Sequence, residues 1–205
     1  MYVPAKFSVT EDEAWNIVDD AGAGMLVVAG PEGLASVFVP VIVSEDRRTI
    51  LSHLAKANPW WKTVTAGSEV LALFVAASAY VSPTNYPSKD ENPNVVPTWN
   101  YSAAEVRGTL VLHEDLEWKL SQVRDLTHRF ERDRDPQWPF EEMDAEYRDS
   151  QLKAIVGIEI SVASIEGKAK LSQNRPDVDR LKVRENFDHG NLVERIVAAR
   201  MHFDD

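Results

Sequence analysis

The order of apolar and polar positions divides this chain into short strands and a few helices. Residues 24–29 (GMLVVA) and 34–43 (LASVFVPVIV) are apolar and rich in β-branched side chains. GPEG between them predicts a strand, a turn and a second strand. EDRRTILSHLA predicts a further turn and strand. Strand patterns return at 69–76, 79–82 and 104–112, the last two separated by a Pro-rich excursion, and a final strand is predicted through AIVGIEISV.

The helices are marked by their ends as much as by their period. Thr10 with Glu13 three residues later forms a capping box that satisfies otherwise orphan backbone donors and opens a short helix. Asn58 as a cap, Pro59 at the first helical position and Gly67 past the end predict a two-turn helix over NPWWKTVTAG. Asp115 caps a longer helix in which Leu116, Leu120, Val123, Leu126 and Phe130 recur at helical spacing. Shorter helices are predicted from about Ala145, over 176–186 and over 191–202. Six or seven mainly antiparallel strands with helices packed around them, in one domain, account for this order.

Composition adds mostly exclusions. With 205 residues, 44% of them hydrophobic, the chain can bury one sizeable core. The lack of cysteine removes disulfides, thiol nucleophiles and thiolate metal sites. No basic stretch precedes an apolar one at the start, and no run reaches the roughly 18 apolar residues that span a bilayer, so a soluble, cytoplasmic protein is expected. A net charge of −11 repels nucleic acid and anionic lipid on average, and direct nucleic-acid binding is not expected. Arg124, Arg129, Arg132 and Arg134 are interleaved with Glu131, Asp133 and Asp135, which favours a solvated helix face and turn over a binding patch. GPEGLA lacks the G-x-G-x-x-G pattern, no Walker or H-E-x-x-H motif occurs, and the five histidines are scattered. No metal site is expected, and no catalytic residue can be assigned.

Three segments carry candidate binding chemistry, each with a structural reading beside it. In LSHLAKANPWW, Ser52, His53, Lys56 and Asn58 stand between a strand and a helix whose free N–H groups could receive phosphate; equally, Lys56 is solvated and Asn58 only a cap. Trp60 and Trp61 are adjacent, so one of them is expected to lie against a partner subunit or a loop. The stretch AYVSPTNYPSKDENPNVVPTWNY is stiffened by prolines. It sets Ser82, Thr84, Thr98 and Asn100 among the flat side chains Tyr80, Tyr86, Trp99 and Tyr101, as either a ligand wall or an aromatic-lined structural loop. In EGKAKLSQNRP, Lys168 and Lys170 point the same way on a strand, with Gln173, Asn174 and Arg175 following. The pair suits a phosphate or phenolate oxygen, or guards a sheet edge.

Together MYVPAKF, HLAKANPWW, YVSPTNYPSK, VVPTWNY, RGTL, QLKAIVGIEI and EGKAKLSQNRP stand in the order and approximate spacing of the PaiB-like family of FMN-binding negative transcriptional regulators, which this sequence resembles over nearly its whole length. The resemblance implies a mainly β fold with peripheral helices, a six- to seven-stranded antiparallel split β-barrel of the FMN-binding type. It implies one domain over 1–205 with a C-terminal helical extension, and a homodimer with FMN near the subunit interface. Carried over by motif, it places His53, Lys56 and Asn58 on the phosphate or ribityl side of the flavin and Ser82, Thr98, Trp99 and Asn100 along its border. Lys168, Lys170 and Gln173 then form a cationic, amide-bearing edge. The family pattern has aromatics at the positions of Asn85 and Ala169, where this chain departs from it. The implied function is regulation by bound FMN or its redox state, directly or through a partner. The alternative is an FMN-dependent oxidoreductase using a reduced nicotinamide and a small-molecule substrate, and a haem ligand is a third possibility.

Overall fold

The computed structural model describes residues 1–65 and 67–202. Its elements are α1 (Glu11–Ala21), β1 (Ala23–Gly30), β2 (Gly33–Pro40), β3 (Ile42–Val43), β4 (Thr49–Ala55), β5 (Glu69–Val81) and β6 (Thr98–His113). These are followed by α2 (Leu116–Glu131), α3 (Ala145–Lys153), β7 (Ile155–Lys170), α4 (Asp177–Asp188) and α5 (Leu192–Ala198). The seven strands form one sheet in the order β2-β1-β5-β6-β7-β4-β3, with the pairs β1–β2, β1–β5, β3–β4 and β4–β7 antiparallel. The chain divides into two compact units. One comprises Met1–Ala21, Phe74–Ala104 and the chain from Glu166 onward; the other comprises Gly22–Leu73 and Glu105–Ile165.

In the unit that holds the N-terminus, α1 starts as the sequence predicts. Glu13 accepts from the Thr10 amide at 2.7 Å, and the Glu13 amide donates to Thr10 Oγ1 at 3.3 Å. The helix buries Ala14, Trp15, Ile17 and Val18. Its approach to β7 depends on Gly167, where a Cβ would stand 2.4 Å from Val9 and 2.7 Å from Ala14. A second apolar cluster joins Ala77, Ala79 and Val81 of β5 to Tyr86, Leu171, Val183 and Phe187, with Val197 and Met201 closing it. Burying side chains the size of Phe187 and Val183 contributes about 1.5–3 kcal/mol each. The loop between β5 and β6 is tied to α4 by Asp179, which is fully buried and accepts from the Ser88 amide at 3.0 Å and the Ser88 hydroxyl at 2.7 Å.

In the other unit, β1 and β2 form the hairpin that GPEG announces, Gly30 pairing with Gly33. Leu26, Val28, Val37, Val39, Ile50, Val156, Ile158 and Ile160 are buried. Two glycines permit close approaches: a Cβ on Gly108 would stand 2.3 Å from the Ser161 carbonyl, and one on Gly157 would stand 2.2 Å from the Trp118 ring. That ring stacks on His113 with 4.0 Å between centroids.

Four expectations are corrected. The strands read at 69–76 and 79–82 are one continuous β5, in which the buried positions change phase across Val75 and Ala76, from Val70, Ala72 and Phe74 to Ala77, Ala79 and Val81. The strand read at 104–112 begins at Thr98, so the aromatic run belongs to a strand and not to the loop before it. The two-turn helix at 58–67 is a single 3-10 turn, Pro59–Lys62; Ala66 within that span lies outside the described residues. Thr63 closes the turn by donating both its amide and its hydroxyl to the Trp60 carbonyl. Helix α2 turns Lys119, Gln122 and Leu126 inward, while Leu116 and Phe130 of the expected apolar stripe are exposed. The inward polar groups have partners on neighbouring strands: Lys119 donates to the Ile155 carbonyl at 3.3 Å, and Gln122 bonds to His53 on β4.

Candidate functional site

β6 and β7 bring the second and third sequence candidates together inside the N-terminal unit. Lys170, the last residue of β7, donates to Thr98 Oγ1 and, at 2.7 Å, to the Trp99 carbonyl, so the first residues of β6 are held by an ammonium. Burial lowers the Lys170 pKa, and the nearby charges of Lys168 and Arg175 lower it further. Lys168 donates to the Tyr2 carbonyl at 3.2 Å, with its ammonium 5.4 Å from the Tyr101 ring centre. Arg175 stacks 4.1 Å from the Tyr86 ring centre and donates to the Val96 carbonyl. Among the described residues, no carboxylate lies within ion-pair reach of any of these three cations. Beside them Trp99 is 53% exposed and Tyr80 48% exposed, packed edge to face with 6.1 Å between ring centres.

The remaining predicted residues of this unit are occupied in holding the backbone. Asn100 is fully buried: its Oδ1 accepts from the Ser172 hydroxyl at 3.0 Å and its amide faces the Met201 sulfur at 3.8 Å. Ser82 caps a 3-10 turn by accepting from the amide and hydroxyl of Thr84. Gln173 accepts from the Leu171 amide and donates to the Ala169 carbonyl, both at 2.6 Å.

The first sequence candidate lies in the other unit. His53 Nδ1 donates to Gln122 Oε1 at 2.9 Å, and burial lowers the His53 pKa against the raising effect of that bond. Lys56 is paired with Glu114 at 2.8 Å, and this bond and the lysine charge hold the Glu114 carboxyl below its ordinary value. Asn58 caps the 3-10 turn, accepting from the Trp60 amide at 3.0 Å. Lys56 is thus not a free charge. The N–H cradle expected of a helix is reduced, since Pro59 has no N–H and that of Trp60 is taken. Trp60 is buried, and Trp61, half-buried, donates its indole N–H to the Lys56 carbonyl.

Three side chains were not among the predicted site residues. Arg175 stands only two positions past Gln173 and could have been included by charge alone. Lys119 and Gln122 gave no signal, because polar residues on a helix are read as its solvent face. Among the described residues there is no cluster of three or more metal-ligating side chains, and no helix is long and apolar enough to cross a membrane.

A seven-stranded antiparallel sheet with helices at its margins has the split β-barrel fold of FMN-binding proteins. The solved FAD and heme binding protein from Mycobacterium smegmatis shares this fold, with a TM-score of 0.62 at 16% identity over 85% of this chain and 78% of that one. The flavocytochrome Anf3 from Azotobacter vinelandii does so with a TM-score of 0.57 at 12% identity, over 78% and 67% of the two chains. Residues 1–164 match the family described as "Putative FMN-binding domain", and the chain belongs to that family. A curated relative, the protease synthase and sporulation protein PAI 2 of Bacillus subtilis (strain 168), is 32% identical over 190 residues, covering 91% of this chain and 89% of the relative. The protein is an FMN-binding flavoprotein of the PaiB-like, split-barrel kind.

Proposed function

We propose that this chain is a homodimeric regulatory flavoprotein that takes up FMN with its phosphate on Lys168, Lys170 and Arg175 and its ring beside Trp99 and Tyr80. The observation that carries the reading is three cations that, among the described residues, have no carboxylate partner, in a chain of net charge −11. An acidic protein leaves cations mutually repelling only at a cost, and an anionic ligand removes it. The donor set fits FMN on chemical grounds: ammonium and guanidinium groups for a phosphate, flat side chains for a ring. Lys170 serves better than Lys56, whose charge Glu114 already neutralises.

The dimer is supported by the outer face of the β2-β1-β5 edge. Met25 stands across from Phe38 on one side and Leu73 on the other, and all three are exposed, Phe38 by 66%. A row of large apolar side chains across three strands is the kind of surface that a two-fold symmetric copy covers. The regulatory side is favoured by the name of the Bacillus relative, which refers to protease synthesis and sporulation. Average charge opposes DNA contact, so the effect on transcription runs through a partner. A second reading, an FMN-dependent oxidoreductase, is favoured by the exposure of Trp99 and Tyr80, which leaves a ring face open to a reduced nicotinamide. When bound, FMN supplies electron and hydride transfer, and the protein supplies charge and orientation.

One set of measurements tests these readings. Freshly purified protein should show flavin bands near about 370 and 450 nm and sediment as a dimer. NADH or NADPH should reduce the bound FMN no faster than free flavin, and a salt-controlled DNA titration should show no sequence preference. Accelerated reduction moves the assignment to the oxidoreductase. A Soret band without flavin bands, or a strict monomer, refutes the cofactor arrangement or the dimer respectively.

A further inference from the structure

The N-terminal unit also contains a cavity that none of Lys168, Lys170 and Arg175 lines. The cavity, of about 320 Å³, lies between α1, the end of β7 and the segment after α5. That volume is at the lower end of small-molecule pockets. Alternation at the end of β7 separates the lining residues Ala169 and, one position past the strand, Leu171 from Lys168 and Lys170, neither of which lines it. Val9 and Ile17 complete an apolar wall.

The polar groups on this wall are specific. Ser102 lines the cavity at 3% exposure, and its hydroxyl has no hydrogen-bond partner among the described residues. A hydroxyl that faces the cavity can both donate a hydrogen bond to a ligand and accept one. At the rim Arg200 donates to Asp20 at 2.8 Å, so those two charges cancel. Glu13 receives the amide and hydroxyl of Thr10 on one oxygen and, among the described residues, has no cation partner; His202 also lines the cavity. Among the described residues the rim therefore carries one carboxylate without a cation partner, together with the His202 imidazole, above an apolar wall with a serine hydroxyl.

We propose that this cavity binds a small amine: an ammonium toward Glu13, a compact apolar body against Val9, Ile17 and Leu171, and a hydrogen bond to Ser102. The same charge disfavours phosphates, so the cavity is not a second flavin site, and Gln173 serves it instead of the cofactor edge.

Calorimetric titration of the FMN-loaded full chain with 2-phenylethylamine, against the neutral isostere 2-phenylethanol, tests the assignment. The amine is expected to bind about fivefold more tightly than the alcohol, as one partly exposed ion pair allows. Glu13→Gln keeps the capping box, since glutamine fills that role, and should remove the preference while leaving alcohol binding intact. Ala169→Phe fills the cavity and should abolish binding of both, and the flavin spectrum reports whether that variant is folded. Equal binding of amine and alcohol, a preference that survives Glu13→Gln, or no binding at millimolar ligand each overturns the proposal. None of these outcomes depends on where FMN sits.

Discussion

Replacing Lys170 by methionine separates two roles that the ammonium plays at once. It holds Thr98 and the Trp99 carbonyl, and it stands with Lys168 and Arg175 as a cation with no carboxylate of its own. Methionine keeps the length and apolar stem, so the structural loss is confined to those two hydrogen bonds and loosens Trp99 for any flavin. The phosphate loss falls on FMN alone. A charge-assisted hydrogen bond is worth about 1.5–3 kcal/mol, which is roughly a 10- to 150-fold change in dissociation constant. The quantity to read is therefore the ratio of the FMN and riboflavin constants, measured by flavin fluorescence quenching in both proteins. The ratio should move toward one in Lys170→Met, and the wild-type preference for FMN should shrink as salt screens the cluster.

pH supplies an independent sign. Burial and the two neighbouring cations set the Lys170 pKa below that of an ordinary lysine, about 10.4. As pH rises through that lowered value, the ammonium is lost earlier than from a free lysine. The FMN preference should fall in the alkaline range and do so only in the wild type. Equal weakening of FMN and riboflavin, with no change in ratio, would falsify the placement of phosphate at Lys170.

Three other substitutions test the fold around the two groups of candidate residues. Gly157→Ala should destabilise by about 1–3 kcal/mol in urea denaturation, because the new methyl meets the Trp118 ring at 2.2 Å; an unchanged midpoint refutes the packing of Trp118 on His113. Asp179→Ala should lower stability by about 1–3 kcal/mol by leaving the Ser88 amide unpaired, and proteolysis should then cut the loop before β6 sooner; Asp179→Asn should lose less. Burial places the folded His53 pKa below its unfolded value, so the stability it contributes as a neutral ring is complete above about pH 6.5 and is lost as pH falls through the folded value. Wild type should therefore lose more stability than His53→Asn between about pH 7 and pH 5, and parallel curves would remove the buried neutral histidine.

The β1–β2 hairpin was legible because its turn, its β-branched content and its alternation agree within 20 residues, and the caps of α1 and α2 because each is a contact three residues long. The inward face of α2 was not legible. Lys119 and Gln122 are buried by partners on β7 and β4, 36 and 69 residues away in sequence, and of the apolar stripe beside them Leu126 shares their face while Leu116 and Phe130 stand exposed. The reading of 58–67 failed for a local reason. The signs of a helix end were present, but Thr63, Val64 and Thr65 are β-branched, and the Thr63 hydroxyl takes the carbonyl that would have continued the helix.

The candidate site divides along the same line. Residue types announced that lysines, amides and flat rings stand in three segments, but only tertiary pairing decides which of them remain available to a ligand. Lys56 and Lys170 are alike in sequence terms, one just past the end of a strand and the other at the end of one, each before a turn. One meets Glu114, 58 residues further on, and the other meets only hydroxyl and carbonyl oxygens among like charges. Asn100 and Trp99 are adjacent in β6, yet alternation sends the amide into the core against Ser172 and the indole to solvent. In a chain with 33 acidic residues against 22 basic ones, a cation has many carboxylates to pair with by chance. The lysines and arginine that no carboxylate of the described residues reaches are for that reason more informative about an anionic ligand than the count of positive charges, and the same logic applied to Glu13 gives the neighbouring cavity its opposite preference.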